Sequence, residues 1–178
     1  QPEQVIYVDD VALMPSYDEA EVAKLKASAV AATGQAVAPS GGSAAPGGGA
    51  GGIVIFDDQH YGGTLWEWPP KGETQCIIDE TLPQAGKKCI RITFDPAQWS
   101  SGGVNLNNLD FTQYTKGGGG KVEFWVRGAN GGETFNMGFK CRDPQGDYVR
   151  TRGDGPGGSF PIIKYVDINK KWKKVTVP

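Results

Sequence analysis

"QVIYVDDVALMP", residues 4–15, has the alternation of a half-buried β-strand, and it stands at the head of the sequence. Tyr7, Val11 and Leu13 fall on one parity, and Ile6, Val8 and Ala12 on the other. Two adjacent carboxylates, Asp9 and Asp10, interrupt the pattern, and Pro15 ends it. A strand of this length buries little by itself and must add to a sheet made elsewhere. The fold therefore turns on where that sheet is.

The rest of the chain divides by composition. Residues 16–34, "SYDEAEVAKLKASAVAATG", carry a helix signal: Ser16 as N-cap with Glu19 three residues on, acidic residues in the first turn and Gly34 after the last. Val22, Leu25, Ala29 and Val30 give this short helix a narrow apolar stripe. Residues 35–52, rich in Gly, Ala and Pro, hold no large apolar side chain except Val37 and read as a flexible linker. As a coil the linker would span roughly 20–25 Å root-mean-square.

Residues 53–178 form the body. Its candidate strands, "IVIFD", "TLWEW", "QCIID", "KCIRITF", "GVNLNNL", "KVEFWVRG", "TFNMGFKC", "DYVRTR" and "WKKVTV", are short and are separated by Gly, Pro and Asn-Gly turns. That spacing predicts an all-β fold, an antiparallel sandwich. "KVEFWVRG" alternates most clearly, with Val122, Phe124 and Val126 on one face and Glu123, Trp125 and Arg127 on the other.

Charge and composition narrow the function. The net charge is −2 and no basic patch is present, which argues against nucleic acid. No apolar run approaches the roughly 20 residues of a membrane span, so membrane insertion is not expected. One histidine, His60, leaves little room for histidine catalysis or a multi-histidine metal site. No pair of carboxylates stands out as an acid and base across a cleft, and "GGGG" (117–120) and "RGDGPGG" (152–158) lack the context of a phosphate loop. The chain reads as non-catalytic.

"IVIFDDQHYGGTLWEW", "GKKCIRITFDPAQWSSGGVNL", "KVEFWVRG" and "WKKVTVP" occur in an order that resembles bacterial secreted jelly-roll carbohydrate-binding modules. The resemblance covers residues 53–178 and implies an extracellular or cell-surface location. It also implies a closing strand like "IYVDDVAL" after the body, whereas here that strand comes first. Three arrangements are open. The strand is donated to a neighbouring copy, head to tail; or it ends a preceding tandem module; or it loops back to complete its own body. The first ranks ahead, with Ile6, Tyr7, Val8, Val11 and Leu13 as the donated side chains. It makes the chain a structural subunit of a surface filament, because such a contact does not close on itself. The alternative is a carbohydrate-binding module with polysaccharide as its partner.

Sugar sites need an aromatic platform flanked by hydrogen-bonding groups. Tyr61, Trp66, Trp99 and Trp125 are the aromatic candidates, with Asn105, Asn107 and Arg127 as polar ones. Trp66 and Trp68 share a strand face, so at least one is expected in the core. Asp9, Asp57 and Asp58 would converge as oxygen ligands if the first strand neighbours the start of the body, and the resemblance implies a structural calcium ion there. A hairpin at "CIIDETLPQAGKKC" would set Cys76 opposite Cys89 and allow a disulfide. Cys141 follows Phe135, Met137 and Phe139 at strand period and reads as a small core residue.

Overall fold

The computed structural model describes residues 4–15, 52–58, 63–69, 74–95, 99–106, 120–142, 148–150, 153–155 and 158–177. The expected helix over 16–34, nearly all of the linker over 35–52, and the candidates Tyr61 and Asn107 lie outside these residues, as does the side chain of Cys141. The strands are β1 (Gln4–Pro15), β2 (Ile53–Phe56), β3 (Gly63–Trp68), β4 (Gln75–Asp79), β5 (Cys89–Phe94), β6 (Ser101–Leu106), β7 (Gly120–Gly128), β8 (Asn136–Met137), β9 (Lys140–Arg142), β10 (Tyr148–Arg150), β11 (Phe160–Pro161) and β12 (Lys173–Val177). A 3-10 turn spans Ile162–Lys164.

The main sheet runs β12-β7-β1-β5-β4, all antiparallel, with β2 paired to the C-terminal half of β1. The leading strand is thus central. Its first half pairs with β5 (Ile6 opposite Ile92, Val8 opposite Ile90), and its other edge pairs with β7 along nearly its whole length. Within the single chain the first strand fills the gap in its own body and pairs the backbone groups there, in place of the expected donation to a neighbour. The third arrangement is the one observed.

The two carboxylates that interrupt the pattern mark a β-bulge. Asp9 faces Trp125 and Ala12 faces Glu123, so three steps along β1 match two along β7, and Asp10 takes a positive φ of 47°. The extra residue flips the side-chain parity. Ile6 and Val8 before the bulge, and Val11 and Leu13 after it, therefore all contribute to the same core although they differ in sequence parity. Asp is among the few residue types that adopt this left-handed conformation readily.

The inner face of the main sheet supplies Ile6, Ile90, Val122, Phe124, Val126, Val175 and Val177, all buried. Each such side chain contributes roughly 1.5–3 kcal/mol. Two-stranded ribbons cover this face: β3–β6 through Leu65 and Val104, and β8–β11 through Met137 and Phe160. The result is the antiparallel sandwich the alternation predicts. "TFNMGFKC" differs from its reading as one strand. It breaks at Gly138–Phe139 into β8 and β9, which take different partners, β11 and β10.

The disulfide expectation is also corrected. The β4–β5 register sets Cys76 opposite Ile92 and Asp79 opposite Cys89. Cys76 and Cys89 are thus three register steps apart, an odd number, and their sulfurs lie on opposite faces of the sheet. Both are buried free thiols. Cys76 Sγ donates to the Gly103 carbonyl at 3.7 Å and Cys89 Sγ to the Asp79 carbonyl at 3.5 Å. Burial pushes the thiols up to about 11 and about 12, which keeps them protonated and unreactive.

The β3–β6 ribbon lies close on the sheet because of Gly102. A Cβ there would fall 3.0 Å from Cys76 Cβ and 3.1 Å from Ile92 Cγ2. Gly102→Val should therefore destabilise the fold by about 1–3 kcal/mol through overpacking. The expected readout is a lower urea midpoint with an unchanged m-value.

Candidate functional site

The outer face of the β3–β6 ribbon is built by strand period. Thr64 pairs with Asn105, Trp66 with Gly103 and Trp68 with Ser101. Since Leu65 and Val104 point into the core, Thr64, Trp66, Trp68 and Asn105 share the opposite face, and all four are exposed. Trp66 is 39% and Trp68 54% exposed. The expectation that one of them packs in the core is corrected: the ribbon has a single buried face, and Leu65 occupies it. Trp99 is 76% exposed and sits two residues before β6, at the end of the ribbon where Trp68 pairs with Ser101.

Gly103 seats the Trp66 ring. A Cβ at Gly103 would fall 3.1 Å from Trp66 Nε1 and 3.3 Å from its Cε2 and Cζ2. The indole therefore lies across the neighbouring strand, in the space a side chain would fill. Leaving three indoles partly in water forgoes the burial that drives folding, and exposed clusters of this kind mark contact surfaces.

The remaining candidates do not join this surface. Trp125 and Arg127 are half-buried on the outer face of the main sheet, across the sandwich from the ribbon. Tyr7 faces Arg127 on one side and Arg91 on the other, and the Arg127 guanidinium carbon lies 5.8 Å from the Tyr7 ring centroid. Lys174 and Lys121 both pair with Glu123, each at 2.9 Å. Those two lysines hold the Glu123 carboxyl below its usual range.

Two of the three carboxylates expected to hold calcium, Asp9 and Asp58, accept backbone N–H groups. Asp9, 1% exposed, accepts N–H groups from Asp10 at 2.9 Å and Gln84 at 2.8 Å. Asp58 accepts those of Lys87 at 2.5 Å and Lys88 at 2.7 Å. The two side chains thus pin opposite ends of one loop, Gln84–Lys88, between β4 and β5. Burial raises the Asp9 carboxyl against the lowering effect of these N–H groups, and burial with the charges of Asp57 and Asp58 raises that of Asp10. Among the described residues no three His, Cys, Asp or Glu side chains group to hold a metal ion.

Compared with known families, residues 52–178 match the model described as carbohydrate binding domain 30. The chain belongs to that family. No curated protein and no solved structure matches. The family's description names a binding role and no reaction. All the tryptophans of the ribbon surface lie inside the matched segment. β1 lies outside it, so in this domain 30 sandwich the central strand comes from sequence that precedes the match. Trp68 is the exposed aromatic of this candidate surface that sequence reasoning did not count among the binding residues. Its signal was the Trp-Glu-Trp spacing, which puts two indoles on one face, together with the polar and small residues of the partner strand.

Proposed function

We propose that the chain is a non-catalytic module that binds polysaccharide through Trp66, Trp68 and Trp99, as part of an extracellular protein. The observation that carries this reading is the shared outer face of Trp66 and Trp68, level with the core of the sandwich yet turned to solvent. Apolar C–H faces of pyranose rings stack on indoles, and Asn105 and Thr64 stand beside them on the same face to bond hydroxyls. Membership in carbohydrate binding domain 30 supports the ligand class. Among the described residues no helix is long and apolar enough to cross a membrane.

The test is affinity electrophoresis and calorimetry on a panel of neutral polysaccharides. Wild type should bind at least one. Trp66→Ala or Trp68→Ala should each weaken binding about tenfold, near 1.4 kcal/mol, and the double variant about a hundredfold, with the circular dichroism spectrum of the folded sandwich retained. Failure of wild type to bind any member, or a double variant that binds as well as wild type, overturns the proposal.

A further inference from the structure

The outer face of the main sheet carries a second, differently built surface. Arg127, Tyr7 and Arg91 form one row across three adjacent strands, β7, β1 and β5. Neighbouring strands stand about 4.8 Å apart, so the two arginine positions lie roughly 10 Å from each other. Tyr7 is buried between them. Trp125 shares the strand face with Arg127 two residues away, about 6.8 Å along β7, close to the length of one pyranose ring.

Charge is unevenly satisfied on this face. Lys121 and Lys174 are both paired with Glu123, and Arg91 Nε lies 3.4 Å from Asp79 Oδ2. Arg127 is the cation of this face that has no carboxylate partner among the described residues. Its neighbour Tyr7 offers only the face of its ring. A guanidinium is the side chain whose planar fork best matches a carboxylate.

We infer that this face is a second glycan site, separate from the tryptophan ribbon, which binds a hexuronic-acid residue with its carboxylate on Arg127 and its ring beside Trp125. The ligand class is an acidic polysaccharide. Neutral glycans have no group that would satisfy the Arg127 fork as well. The two sites face opposite sides of the sandwich, so one module can contact two chains at once. The inference stands on residues the ribbon does not use, and either reading can fail alone.

The experiment titrates the intact chain with oligogalacturonate and, in parallel, with its methyl ester, which keeps the rings and removes the charge. Wild type should bind the acid at least tenfold tighter than the ester, and that preference should shrink as sodium chloride is raised. Arg127→Gln should abolish the preference, and Arg127→Lys should retain part of it. Trp66→Ala/Trp68→Ala should leave it intact. Melting curves and circular dichroism of each variant report folding, and Trp125→Ala provides a second variant expected to weaken both acid and ester. Equal binding of acid and ester, no binding of the acid, or a folded Arg127→Gln that keeps the preference overturns the inference.

Discussion

A chain that begins at Gly52 should fail to fold, and a synthetic peptide of residues 4–15 should restore it. The matched family segment, residues 52–178, supplies β5 and β7 but not the strand between them. Without β1 those two strands become open edges facing one another across an empty lane, with the backbone groups that β1 pairs left to water. Buried Ile6 and Leu13 also disappear from the core. Each contributes roughly 1.5–3 kcal/mol by burial alone, against a total stability for such domains of about 5–15 kcal/mol. Adding the lost ladder bonds exceeds what the body can spare. Circular dichroism and tryptophan fluorescence of residues 52–178 should show no cooperative transition. Titration with the peptide should recover one, with a midpoint that rises with peptide concentration. A truncated body that melts cooperatively at the wild-type temperature would show that β1 is an ornament of the sheet rather than part of it.

The same strand shows what the sequence could and could not reveal. Its strand character, and that of β7, was legible because apolar residues alternate through Val122, Phe124 and Val126 and through most of β1. Which face of β1 enters the core was not, because the parity changes at Asp9–Asp10, and a one-residue bulge is invisible to a count of twos. The owner of the strand was equally hidden: a tether of 37 residues, 16–52, reaches its own body or a neighbour's with similar ease, so only the pairing decides. The cysteine pairing failed for a different reason. A hairpin centred on Leu82–Pro83 would have aligned Cys76 with Cys89, but the ladder is centred on Gln84, with Asp79 opposite Cys89, and leaves residues 80–88 as a loop. What sets that loop is distant in sequence, namely Asp9 and Asp58. At the ribbon, the two-residue spacing of Trp66 and Trp68 established a shared face. Which face it was depended on Leu65 and on the close approach of Gly102, and neither leaves a mark in a single sequence.

Asp9→Ala should be the most damaging point substitution outside the apolar core. The side chain sits at the bulge, buried, and ties β1 to the β4–β5 loop through the Gln84 N–H at 2.8 Å while it caps the Asp10 N–H at 2.9 Å. Hydrogen bonds to a charged acceptor contribute about 1.5–3 kcal/mol each, and the cost of burying the charge offsets part of that. A net loss of about 2–4 kcal/mol is expected, along with faster amide exchange at Gln84 than at Lys88, whose N–H is held by Asp58. The sign of the pH dependence separates this role from a simple packing role. Burial raises the Asp9 carboxyl above its ordinary value of 3.8, so the folded state holds that proton to higher pH than the unfolded chain does. The associated stability is fully present below the unfolded value and is lost as pH rises through the folded one. Relative to Asp9→Asn, which does not titrate, wild type should gain stability as pH falls from neutral toward 3.8. Asp79 and Glu123, whose carboxyls are lowered, push the other way in both proteins and cancel in the comparison. Urea midpoints of the two proteins across that range measure the difference directly. A gap that stays constant with pH would mean that the carboxyl is ionised in the fold as readily as in water, and one that widens in favour of Asp9→Asn on acidification would mean that it is ionised more readily there; either outcome refutes a net electrostatic cost of its burial.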